Sequence, residues 1–211
     1  MDNLTLLQIA ENCCPPLFKK FLGVTSADNF FSNQNRAQMQ EYLAITGQSS
    51  LFYQIVNTSS QNQRGEHWVL IAYIIVPIGL IKRSVKTARR EKFAFFAWDP
   101  LGYPMRRYKA INKRLKMLSG IETRMFEICF PSQNAFSNLC GLYCLFMAHH
   151  LHQIGLANKI QRLSGKESLE NLNSFIACSL FKLTNFSEIE IVRFFNEHCN
   201  SLFKYKIMYT C

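Results

Sequence analysis

Four residues of this chain have the types and local settings needed for acyl transfer through sulfur: Cys140, His67, Asp99 and Gln133. That chemistry takes a thiolate, a histidine that moves its proton, a group that orients the histidine, and donors for the oxyanion of a tetrahedral intermediate. Cys140 precedes Gly141 at the start of a predicted helix, where unpaired amides and the helix dipole favour a thiolate and lower a thiol's pKa. Gln133 stands seven residues upstream, in the turn-prone stretch from Pro131 to Asn138. A fold-back there would aim its side-chain amide and the Cys140 backbone amide at one oxygen.

The elements that must position these groups can be read from the apolar pattern. Leu51 to Asn57, Trp68 to Val76 and Phe93 to Trp98 are rich in aromatic and β-branched residues and read as strands. His67 stands at the head of the second and Asp99 at the foot of the third. Antiparallel pairing of those two strands would therefore set His67 beside Asp99. Helices are predicted over Leu4 to about Asn12, stopped by Pro15-Pro16, and over roughly Asn35 to Ile45. A further helix carries Tyr108, Ile111, Leu115 and Leu118 on its apolar face before Gly120, and Arg124 to Phe130 reads as another strand. The apolar stretch from Cys140 to about Ile154 is a central helix, too short to span a bilayer. Ser164 to Glu167 and Ser187 to Glu190 each have the spacing of a capping box, so two helices close the chain. The whole reads as one α+β domain over 1–211, a central mixed β-sheet flanked by helices, with a basic hairpin insertion at about 81–92.

At this point the motifs carry a family resemblance. Ile55 to Thr58, Gly65-Glu66-His67-Trp68, Trp98-Asp99-Pro100-Leu101-Gly102-Tyr103, and Gln133 followed by Cys140-Gly141-Leu142-Tyr143-Cys144 occur in one order. Together they resemble the adenovirus-type maturation cysteine proteases, the adenain family of the SUMO-protease-like superfamily. The likeness runs from about Leu51 to Leu151. It implies His67 as base, Asp99 as its orienting acid, Gln133 as oxyanion-hole donor and Cys140 as nucleophile. Asp99 stands where adenovirus members have Glu, and related SUMO proteases use Asp. The longer basic hairpin suggests a distant relative from a virophage or a Polinton-like virus.

The resemblance further implies an endopeptidase that cuts viral capsid and core precursor proteins near small residues during virion maturation, in the virion and at the assembly site in the host cell. It implies viral DNA as activator, with a viral peptide as a candidate second one; relatives can tether such a peptide by a disulfide, but the spacing around Cys129, before the Gln133 loop, does not match theirs well enough to carry that role over. Two other functions fit the same residues. One is a deconjugase for ubiquitin or a ubiquitin-like modifier; the other is a DNA-binding virion component with a vestigial triad.

Charge supports a polyanionic partner independently. The chain carries a formal net charge of +10, and from Lys82 to Lys116 twelve basic residues face two acidic ones, an excess equal to the whole chain's. Lys82, Arg83, Lys86, Arg89, Arg90, Arg106, Arg107 and Lys113 are the candidate DNA contacts; phosphate contacts of this kind are sequence-tolerant and salt-sensitive.

The N-terminus lacks a basic, apolar, small-residue signal pattern, so the protein is not expected to be secreted. No membrane partner is predicted, and the chain is expected to be a monomer without a small-molecule cofactor. His149, His150 and His152 match no zinc-ligand spacing, so no metal is expected. Cys13, Cys14, Cys129, Cys144, Cys178, Cys199 and Cys211 read most simply as structural thiols, their redox state undecided by spacing.

Overall fold

A strand buried on both faces carries apolar residues at consecutive positions rather than alternate ones. The run Trp68-Val69-Leu70-Ile71-Ala72-Tyr73-Ile74-Ile75 is of this kind. In the computed structural model it forms β3 (Trp68–Pro77). Trp68, Leu70, Ala72 and Ile74 enter one core; Val69, Ile71, Tyr73 and Ile75 enter the other. The structure describes residues 3–14, 19–48, 50–59, 67–77, 91–119, 124–153 and 187–198, with Ser174 and Cys178.

In chain order the described elements are α1 (Asn3–Cys13), β1 (Phe21–Ser26), α2 (Asn33–Thr46), β2 (Ser50–Asn57), β3, β4 (Glu91–Trp98), a 3-10 turn (Met105–Arg107), α3 (Lys109–Ser119), β5 (Arg124–Ile128), α4 (Cys140–Gln153) and α5 (Glu188–His198). The strands lie side by side in sequence order. β1 runs parallel to β2, β2 and β4 both run antiparallel to β3, and β5 runs parallel to β4. This is the mixed sheet expected from sequence. Leu6 and Ile9 of α1, Leu142 to Ala148 of α4, and Ile191 and Phe195 of α5 pack on one face. Met39 of α2 and Ile111, Leu115 and Leu118 of α3 pack on the other. Each large side chain withdrawn from water in these two cores contributes about 1.5–3 kcal/mol.

Two strands differ from the sequence reading. β1 was not foreseen: it is short, half-buried at its centre, and broken by a register shift around Gly23, whose φ is +97°. β4 begins at Glu91, so Glu91 and Lys92 belong to the ladder rather than to the hairpin insertion. They pair with Pro77 and Val76, because the antiparallel register continues for as long as β3 supplies partners. The insertion's core, with Lys82, Arg83, Lys86, Arg89 and Arg90, lies outside the described residues, as does the predicted capping box at Ser164. The second box is present: Ser187 Oγ accepts from Glu190 N at 3.3 Å, and Ser187 N donates to the Glu190 carboxylate at 2.6 Å.

Arg114, one of the twelve basic residues from Lys82 to Lys116, is tied to the backbone of another turn rather than left to solvent. Its guanidinium donates to the carbonyls of Phe30 and Phe31, each at 3.1 Å. Phe31 has φ +51°, a conformation that costs about 1–3 kcal/mol in a residue other than glycine. The turn is held by Arg114, by Gln54 Oε1 accepting from Phe31 N at 3.2 Å, and by stacking of Phe31 on Tyr73 at 5.1 Å.

Cys13 is disulfide-bonded, which corrects its reading as a structural thiol. Spacing could not reveal this, since pairing depends on which sulfurs the fold brings within reach. Cys14, Cys129, Cys140, Cys144 and Cys178 are free.

Candidate active site

The register of the β3–β4 hairpin sets the first contact. Leu70 pairs with Trp98, so the start of β3 and the end of β4 share one edge of the sheet. His67 and Asp99, the next residues outward, meet there with Nε2 and Oδ1 2.7 Å apart. Asp99 is fully buried, and a carboxylate in that position needs its oxygens matched. Oδ1 also accepts from Leu101 N at 2.7 Å, and Oδ2 accepts from the Tyr108 hydroxyl. The aspartate is thus gripped from three sides.

Tyr108 is the member that sequence reasoning missed. It was read as one more apolar position of a helix, yet it immediately precedes α3. Its carbonyl accepts from Asn112 N at 2.8 Å, while its hydroxyl turns towards Asp99. Its ring lies 5.8 Å from that of His67. Burial, then the bond to Asp99, holds the phenol well above its ordinary pKa, so it remains a neutral donor. Removing only the oxygen with Tyr108→Phe is expected to lower the unfolding free energy by about 1.5–3 kcal/mol, the worth of a hydrogen bond to a charged group. Urea denaturation measures it, and an unchanged midpoint would contradict the grip described.

Cys140 opens α4 and is nearly buried. Its backbone N–H is among the first four of the helix, which have no acceptor inside it. Two contacts fix this helix end against the histidine strand. Cys144, one turn on, donates its thiol to Trp68 O at 3.5 Å. Leu6 of α1 packs so closely on Gly141 that a Cβ there would come within 2.7 Å of its side chain. Burial pushes the Cys144 thiol well above the ordinary range, which suits an anchor rather than a nucleophile.

With Nε2 committed to Asp99, His67 has Nδ1 left for its other hydrogen-bonding partner, Cys140. Burial alone would lower the histidine's pKa; hydrogen bonds and charge from Asp99 and Cys140 outweigh it and raise the value to about 9. A raised folded-state value favours the fold while the ring is protonated. This contribution, roughly 3 kcal/mol, is complete below about pH 6.5 and is lost as the pH climbs through about 9. Unfolding curves from pH 6 to 10 should show wild type losing stability over that window, whereas His67→Gln should lack this component.

Gln133 is buried in the loop leading to Cys140. The loop hangs from the Asp99 turn: Ser132 N and Gln133 N both donate to Pro100 O, at 2.8 and 2.9 Å, and Leu101 bridges to Pro131. Gly102, at φ +76°, makes the close approach, since a Cβ there would lie 2.6 Å from Pro131 N. The Gln133 amide is partly committed, with Nε2 donating to Ser137 O at 2.6 Å; its second N–H remains for another acceptor.

Of the candidate polyanion contacts, Arg106, Arg107 and Lys113 are described, and all three are exposed on the 3-10 turn and α3. The Arg107 guanidinium lies over the Tyr103 ring at 3.7 Å. Lys109 and Lys116 extend the same exposed basic face. Among the described residues, no group of His, Cys, Asp or Glu could hold a metal ion, and no helix is long and apolar enough to cross a membrane.

No family model matches the chain, and no curated protein is detectably similar to it. Among solved structures it is similar to the Legionella pneumophila effector protein RavZ, at 12% identity and a TM-score of 0.34 over 86% of this chain and 54% of that one. The ASFV pS273R protease is similar at 15% identity and a TM-score of 0.28, over 61% and 43%. HopZ1a, solved in complex with IP6, is similar at 15% identity and a TM-score of 0.38, over 97% and 66%. The chain thus spans between two fifths and two thirds of the length of these three structures.

Proposed function

We propose that the chain is a cysteine endopeptidase whose nucleophile is Cys140. The observation that carries this reading is one imidazole held between a buried carboxylate and a cysteine at a helix N-terminus. His67 accepts the Cys140 proton through Nδ1 while Asp99 holds Nε2–H. The thiolate attacks the scissile carbonyl carbon, and the oxyanion is received by the Cys140 backbone N–H and the free N–H of Gln133 Nε2. His67 then returns the proton to the leaving amine, giving a thioester that water hydrolyses with the same histidine as base.

The substrates we propose are viral capsid and core precursors cut near small residues during virion maturation. The support is the resemblance of the four ordered motifs to the adenain family, and the exposed basic face of Arg106, Arg107, Lys109 and Lys113 as a landing surface for DNA. The test is incubation of wild type and Cys140→Ala with capsid precursors of the encoding virus, with and without duplex DNA, at about 50 mM and about 200 mM salt. Cleavage should require Cys140 and should rise with DNA at the lower salt. Cleavage of a ubiquitin-fold fusion but of no capsid precursor would instead favour the deconjugase.

A further inference from the structure

Beside the basic face lies a surface of opposite character. From Cys129 to Gln153 the chain has no Asp, Glu, Lys or Arg, although its net charge is +10. Within that run the loop between Gln133 and Cys140 is exposed at Asn134, Ala135, Phe136 and Asn138, and the Phe136 side chain is 95% exposed. Phe130, at 40%, and Pro131 stand exposed on the near side of Gln133.

This is a built loop. Asn134 Oδ1 accepts from Phe136 N at 3.1 Å, and Asn134 O accepts from Ser137 N at 3.0 Å. Ser137 O receives the Gln133 amide at 2.6 Å, and Ser137 Oγ accepts from Leu139 N at 3.2 Å. The backbone on both sides of Phe136 is therefore pinned, and the ring is presented to solvent three residues after the oxyanion donor and four before the nucleophile. Scattered exposed apolar residues are ordinary on protein surfaces. An aromatic ring displayed by a hydrogen-bonded loop whose two ends are Gln133 and Cys140 is tied to the site through that loop.

We propose that Phe136 is a specificity-determining contact that selects substrate chains carrying an aromatic or aliphatic side chain close to the scissile bond. The proposal rests on the proteolytic reading above and divides the surface by chemistry. Polyanion goes to the basic face of the 3-10 turn and α3, and an uncharged, apolar segment of the substrate chain goes to the Phe130–Phe136 lip. Burying such a ring against a substrate side chain corresponds to an affinity change of about tenfold or more.

The experiment profiles cleavage of a proteome-derived peptide library by the full chain as wild type, Phe136→Ala and Phe136→Leu, with cut sites read by mass spectrometry. Wild type should enrich an apolar residue at one fixed position from the cut. Phe136→Ala should lose that enrichment and raise KM for the preferred peptide about tenfold with kcat unchanged, and Phe136→Leu should largely restore both. Iodoacetamide labelling of Cys140 at the wild-type rate shows that the alanine variant retains its site. An unchanged profile and KM in Phe136→Ala would overturn the proposal and leave the proteolytic reading standing. Absence of any Cys140-dependent cut by wild type would overturn both.

Discussion

Replacing His67 by alanine is expected to lower the rate of peptide cleavage on the order of 10⁴-fold or more, as removal of a base from a nucleophile–base–acid set does elsewhere. His67 hydrogen-bonds both Asp99 and Cys140, so its loss removes proton transfer at once from attack and from departure. The alanine variant also leaves Asp99 fully buried with Leu101 N and Tyr108 as its remaining donors among the bonds described. Stranding a charge in this way costs about 3–5 kcal/mol. His67→Gln separates the two effects, since its amide supplies a donor to Asp99 but cannot shuttle a proton at neutral pH. The glutamine variant should recover much of the stability and none of the rate. A His67→Ala enzyme within tenfold of wild type in single-turnover cleavage would refute the assignment.

Gly102→Ala should be the most damaging small substitution in the turn. At φ +76° an L-residue costs about 1–2 kcal/mol. The new methyl would also lie 2.6 Å from Pro131 N and 3.1 Å from Phe130 C, both backbone atoms with little room to yield. Overpacking of this kind adds about 1–3 kcal/mol. The total of roughly 2–5 kcal/mol is a large share of an ordinary domain's stability. The displaced segment at Phe130 and Pro131 leads directly to Gln133, so kcat should fall along with the melting temperature. Gly47→Ala provides the comparison: its φ of +62° is similar, but nothing lies within 4 Å of the new Cβ. It should cost about 1 kcal/mol and leave activity intact. Equal losses in the two variants would show that the approach of Gly102 to Pro131 is unimportant.

What could be read from sequence followed how local the information was. β3 and β4 announce themselves by apolar runs, and once they pair antiparallel the meeting of His67 with Asp99 follows from geometry. Cys140 at a helix start and the box at Ser187 are likewise local signals. Tyr108 was hidden because its helical spacing matches an apolar role, and only the fold turns its hydroxyl to Asp99. Arg114 was hidden for the converse reason: a basic residue in a basic stretch reads as solvated, while its actual acceptors, Phe30 and Phe31, are more than eighty positions away. The box that starts α2 escaped notice because Asn35, rather than Glu or Gln, answers Ser32. Gln133 was located correctly in the loop before Cys140, but the capture of one of its N–H groups by Ser137 depends on a turn that no spacing specifies.

The pairing of Pro77 with Glu91 places the stem of the basic insertion at the far end of the same two strands that carry His67 and Asp99. At about 3.3 Å per residue, the ten residues of β3 put roughly 30 Å between that stem and the catalytic edge. The ladder between them is fixed by residues buried in both cores, so changes at the stem need not pass along it. The stem and the His67–Asp99 pair thus occupy opposite ends of one antiparallel ladder.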